Sequence, residues 1–126
     1  MQGEDEDPIT RHVIGCAIEV HRALGPGLLE SAYEQCMAHE MTLQGLEFRL
    51  QVSTPVEYKG LRLDCAYKAD VVVQDSVIVE IKSVDMLSAL HEAQLLTHLR
   101  MAHVRTGLLI NFNVRRLVDG VRRFRR

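Results

Sequence analysis

With 126 residues, 47% of them apolar, the chain has material for one hydrophobic core and not for two. Its formal charge of −2 conceals two charged ends: Glu4, Asp5, Glu6 and Asp7 open the chain, while Arg115, Arg116, Arg122, Arg123, Arg125 and Arg126 crowd its close, either to meet phosphates or as a solvated terminus. Cys16, Cys36 and Cys65 form no CxxC pair, which argues against a disulfide framework or a thiolate zinc site, and no apolar run approaches the roughly 18 residues of a membrane span. With no signal-peptide pattern at the acidic N-terminus, the expectation is a soluble, cytoplasmic protein with no membrane partner.

Residues 1–8 read as a disordered acidic segment and residues 9–126 as a single domain. From Ile9 to Leu24 the apolar residues Ile9, Val13, Ala17, Val20 and Leu24 recur at steps of three and four, the period of an amphipathic helix, which Gly25-Pro26-Gly27 ends. A second helix is predicted from Leu28 or Leu29 to Leu43, stopped by Gly45, with Glu30, Tyr33 and Met37 on one face. The texture then alternates through Phe48, Leu50, Val52, Val56 and Tyr58, turns at Lys59-Gly60 and resumes at Leu61 and Leu63, which predicts a hairpin. Lys68 to Val73 and Val77 to Lys82 predict two further strands. Helical period returns from Val84 to Met101, Thr106 to Phe112 forms a short apolar strand, and Asp119-Gly120 predicts a tight turn. This order implies a mixed sheet flanked by helices.

The hairpin Lys68 to Lys82 carries Asp70, Glu80 and Lys82 among its valines. Side chains alternate faces along a strand, so Val71, Val73, Val77, Val79 and Ile81 share one apolar face if residue 71 opposes 79 and 73 opposes 77. That register sets Asp70 opposite Glu80, with Cβ atoms about 4.5–5.5 Å apart, and Lys82 on the same face. Two carboxylates that close repel by roughly 3–4 kcal/mol at an effective dielectric of about 20. A hard divalent cation answers that repulsion, held by Asp70, Glu80 and a main-chain carbonyl such as that of Ile81. A cross-strand pair of Lys82 with Glu80, beside a solvated Asp70, accounts for the same residues without a metal.

An acidic residue on one strand followed on the next by Glu-x-Lys resembles the signature of the PD-(D/E)XK nuclease superfamily, here Asp70, Glu80 and Lys82, with Ala69 where the motif has proline. The stretch Gly27-Leu28-Leu29-Glu30-Ser31-Ala32-Tyr33 is similar to the motif that names the GxxExxY family within it. The similarity extends from about Ile9 to Arg123 and includes the His91-Glu92-Ala93-Gln94 helix. It implies an α/β, three-layer α/β/α restriction-endonuclease-like fold around a short mixed sheet, and hydrolysis of nucleic-acid phosphodiesters with Mg2+ or Mn2+. On this resemblance Glu30 is an auxiliary acid that reaches the metal, and Gln94 contacts substrate or orients Lys82. Lys82 stabilises charge on the phosphate or positions the attacking water. Tyr33 and His21 are second-tier candidates, with a hydroxyl satisfied inside the fold as the plain reading of Tyr33. His91 and His98 share a helical face with Gln94, lack a third ligand for zinc, and are expected to lie on a solvent or groove face.

Arg115, Arg116, Arg122 and Arg123 are candidates for nucleic-acid contact. With no tryptophan, three tyrosines and three phenylalanines, a base-stacking platform is poorly supplied, so contacts to phosphate are expected, on DNA rather than RNA. The alternatives are a catalytically silent module of this fold that binds nucleic acid or a protein partner, and a homodimer built on an exposed strand or helix face.

Overall fold

Asp7 opens the first helix in the computed structural model, which describes residues 7–126: its Oδ1 accepts from the amides of Ile9 and Thr10 at 2.9 and 3.3 Å. Pro8 takes the first helical position, where its missing N–H costs nothing. Helix α1 therefore runs Pro8–Leu24, and Asp7 and Pro8 belong to the folded domain. The remainder of the expected disordered segment, residues 1–6, lies outside the described residues. Helix α2 spans Glu30–Leu43. It closes in a pair of hydrogen bonds, from Gly45 N to Thr42 O and from Leu46 N to Met41 O, with Gly45 at φ 79° supplying the left-handed position such an ending needs.

Strands β1 (Phe48–Tyr58) and β2 (Leu61–Val73) meet at Lys59-Gly60, both at positive φ, the turn whose twist matches paired strands. Strand β3 is Val77–Lys82 and β4 is Thr106–Asn111, parallel to it; helix α3 (Ala89–Ala102) makes the crossover. A 3-10 turn over Leu117–Gly120 leads into β5, Val121–Arg125. The tight turn expected at Asp119-Gly120 is this 3-10 turn, and a Cβ on Gly120 would stand 2.2 Å from the Asn111 carbonyl oxygen. The sheet has the order β1-β2-β3-β4-β5, antiparallel except at β3–β4.

Helices α1 and α2 pack on one face through Val13, Tyr33, Met37, Val71, Val79 and Ile110. Helix α3 covers the other through Leu95 and Leu99 against Val72, Ile78 and Leu109. The architecture is the three-layer α/β/α arrangement around a short mixed sheet. Outward from the pair Val52↔Ala69, β1 and β2 pair only with each other and form an arm. Val56, Tyr58, Leu61 and Leu63 share one face of it, and the ion-paired Glu57 and Arg62 share the other.

The third helix starts later than its period suggests, at Ala89 rather than Val84. Asn111 holds both polar groups of Val84, accepting from its amide at 3.0 Å and donating to its carbonyl at 2.9 Å, so residue 84 cannot enter a helix. Ser88 then supplies the cap, its hydroxyl accepting from the His91 amide while His91 Nδ1 accepts from the Ser88 amide. Leu90, counted in the apolar period, is exposed.

Candidate functional site

The register expected for the valine hairpin is the one observed: Val71 opposes Val79, Val72 opposes Ile78 and Val73 opposes Val77. The paired ladder stops there. At the next step the strands part, and the Asp70 side chain fills the gap, its Oδ2 accepting from the Ile81 amide at 2.8 Å. Lys82 O accepts from Phe112 N on the β4 side. Because successive residues of a strand turn their main-chain groups to opposite neighbours, the Ile81 carbonyl faces the β2 side, toward the gap that Asp70 occupies.

Asp70, Glu80 and Lys82 line one cleft of about 300 Å³ with Tyr67, Lys68, His91, Gln94, Leu95 and His98. Helix α3 lies over the face that carries these charges, so Glu80 is only 7% exposed, while Asp70 and Lys82 are half-buried. Burial, and then the charge of Glu80, push the Asp70 carboxyl up to about 6, against the smaller opposing pull of the Ile81 N–H and Lys82. A larger cleft, about 620 Å³, lies between the β1–β2 arm and the end of α3 at Arg100–Val104, and it contains neither carboxylate.

Glu30 stands elsewhere than beside the two carboxylates. As the first residue of α2, it accepts the Ser83 amide at 3.2 Å, and the Ser83 hydroxyl donates to Leu28 O at 2.6 Å, so the loop before α2 is tied to the end of β3. One helical turn on, Glu34 takes the place nearer Asp70. Gln51 Nε2 donates to both Glu34 oxygens at 3.0 Å and reaches Asp70 Oδ1 at 3.5 Å. Gln51 drops out of the β1–β2 pairing at φ 51°, a left-handed position unusual for a side-chain-bearing residue. Neither Glu34 nor Gln51 carries a motif. The signal available in the sequence was that Glu34 follows Glu30 by one turn.

Tyr33 is wholly buried. Its hydroxyl donates to Gly25 O at 2.5 Å and accepts from Leu28 N at 3.1 Å, and its ring stacks on Phe112 with centroids 4.5 Å apart. It shapes the loop that delivers Glu30 and does not line the cleft. His21 is buried likewise, with Nε2 2.8 Å from Val114 O. Gln94 and His91 do line the cleft, and His91 also caps α3. His98, expected on a solvent or groove face, lines this cleft and meets Glu80 Oε2 through Nδ1 at 3.1 Å.

The C-terminal arginines do not form one patch. Arg122 sits on the α3 side of β5 with Nε 3.6 Å from Glu92, while Arg123 faces the opposite side of the sheet, opposing Leu108. Arg115 and Arg116 are exposed in the loop after β4. None of the four lines the carboxylate cleft.

Among the described residues no group of three or more His, Cys, Asp or Glu side chains converges as metal ligands. Asp70 and Glu80 supply two hard oxygen donors at a gap that the Ile81 carbonyl also faces, a set that suits a cation able to keep several waters and not one needing a closed protein cage.

A family model described as the PD-(D/E)XK nuclease superfamily matches residues 7–124. Neither the curated proteins nor the solved structures contain a significant match to the chain. Among the described residues no helix is long and apolar enough to cross a membrane.

Proposed function

Since the chain belongs to the PD-(D/E)XK nuclease superfamily, we propose that it is a metal-dependent nuclease of the GxxExxY family whose working side chains are Asp70, Glu80 and Lys82. The observation that carries this reading is the meeting of all three in one cleft, at the point where β2 and β3 part. A pair of surface charges would gain nothing from being buried there, whereas a ligand pair must be held close and kept out of bulk water.

Asp70 and Glu80 would hold the cation, Mg2+ or Mn2+, together with the Ile81 carbonyl. Nucleases of this superfamily generally use divalent ions, and such an ion supplies Lewis acidity toward a phosphate oxygen and a more acidic bound water. The chain's own groups do the rest. Lys82 brings a positive charge to the cleft wall, where it opposes the negative charge that grows on the phosphate during attack. Gln94, on the opposite wall, offers an amide to orient substrate or the Lys82 ammonium. Glu30 acts through Ser83, holding the main chain next to Lys82, and so is a positioning residue in this reading. DNA is the substrate we assign, contacted through its phosphates. The three free cysteines suit a reducing compartment, the cytoplasm.

The test is hydrolysis of single-stranded, duplex and branched DNA, and of RNA, in Mg2+ and in Mn2+. Cleavage that is lost in Lys82→Ala and in chelator supports the reading. No cleavage of any of them in either metal removes it, and metal-independent binding with a steep salt dependence would mark a silent nucleic-acid-binding module instead.

A further inference from the structure

We infer that His98 is a positioning residue that fixes which oxygen Glu80 presents to the cleft, an inference that rests on the metal-dependent reading above and extends it to a side chain outside the motif. His98 lies on α3, one turn beyond Gln94, and its Nδ1 is 3.1 Å from Glu80 Oε2. The two side chains are 13% and 9% exposed, so water cannot readily replace the bond. An ionised Glu80 can only accept, so Nδ1 carries the hydrogen.

Two further contacts make the arrangement a built one. Tyr67, from β2, meets the imidazole edge-on, with centroids 4.3 Å apart and planes at 68°, which fixes the ring's plane. Leu95 and Leu99, both wholly buried against the sheet, fix the stretch of α3 from which His98 projects. The terminal torsion of a glutamate is soft and roughly two-fold, so an unheld carboxylate presents either oxygen or turns away. With Oε2 committed to His98, Oε1 is the oxygen left for the gap beside Asp70. Outer partners of this kind set ligand orientation and basicity at metal sites.

Three variants decide it: His98→Ala, His98→Asn and His98→Gln. Asparagine carries an amide N–H near the place of Nδ1 and glutamine near that of Nε2, so only the first can restore the bond to Glu80. Mn2+ affinity is read by titration calorimetry without nucleic acid, and kcat and KM are read on DNA. His98→Ala is expected to bind Mn2+ about 10–100-fold more weakly and to lose a similar factor in kcat with KM little changed. His98→Asn is expected to recover most of both, and His98→Gln to follow the alanine variant. Equal behaviour of the asparagine and glutamine variants, or Mn2+ binding by His98→Ala as tight as in the unaltered protein, overturns the inference. If the unaltered protein binds Mn2+ but cuts nothing, the nuclease reading fails and His98 is judged on affinity alone; if it binds no Mn2+, both fail.

Discussion

The Asp70 carboxylate occupies the place of a main-chain acceptor: its Oδ2 takes the Ile81 N–H at 2.8 Å where the β2–β3 ladder has stopped. The side chain thereby satisfies a strand amide that would otherwise be left unpaired as the strands diverge. The same contact holds the carboxyl next to Glu80, at a cost to the fold.

That cost has a definite sign. Folding raises the Asp70 carboxyl from an ordinary 3.8 to about 6, so the folded chain holds the proton more tightly than the unfolded one. The stabilisation from protonation is complete below about pH 4 and is lost as pH rises through about 6. Asp70→Asn keeps an oxygen for the Ile81 amide and carries no charge. It is expected to be more stable than the unaltered protein at pH 7.5 by about 1–2 kcal/mol, after allowing for solvent screening, with the gap closing toward pH 4. Denaturant melts at the two pH values check this, and equal stability at pH 7.5 would remove the cost assigned to burying the Asp70 charge beside Glu80.

Metal should stabilise the folded protein through the same pair. A cation that binds only the folded chain contributes about 2.7 kcal/mol at a hundred times its dissociation constant. Mg2+ or Mn2+ is therefore expected to raise Tm in the unaltered protein and to leave Asp70→Asn unmoved. The shift should grow as pH rises through about 6, because bound metal competes with the proton on Asp70. Thermal melts with and without metal at pH 5 and pH 8 measure it. A shift that is the same at both pH values, or that persists in Asp70→Asn, places the ion elsewhere.

Lys82→Ala is expected to lower kcat by about 100-fold or more while leaving the fold intact. Lys82 is half-buried at the cleft rim, and its truncation opens no cavity in either half of the core. Single-turnover cleavage together with circular dichroism separates the two effects. A variant that loses activity only in proportion to lost folded protein contradicts the assignment.

Tyr33→Phe tests the loop rather than the chemistry. It removes the partner of both Gly25 O and Leu28 N, which are two links of the loop leading to Glu30. A loss of about 1–3 kcal/mol in stability is expected, with the ring stack on Phe112 retained. Urea unfolding checks it, and an unchanged midpoint would show the hydroxyl to be idle.

The valine register, the Lys59-Gly60 turn and the Gly45 stop were legible in the sequence because each depends on residues a few positions apart. The grouping of Asp70, Glu80 and Lys82 followed from that register, and Gln94 from the family pattern. What could not be read depends on partners far along the chain. Val84 would extend α3 but for Asn111, twenty-seven residues later. The burial of Glu80 depends on Leu95 and Leu99, which hold α3 over its face of the sheet. Gln51 links Glu34 to Asp70 from a residue at which β1 drops its pairing, a backbone event that leaves no mark on composition or period.

The Asn111 clamp on Val84 also makes one wall of the cleft stiff. The span from Glu80 to Val84 is anchored behind by Asp70, ahead by Asn111 and beneath by Glu30 on Ser83, so Lys82 rides on a beam fixed at both ends. Across the cleft stand His91, Gln94 and His98 of α3, whereas the β1–β2 arm, whose strands beyond Ala69 pair only with each other, has no part in that beam. On the proposed function, a substrate entering the cleft meets charged groups whose spacing that beam has already set.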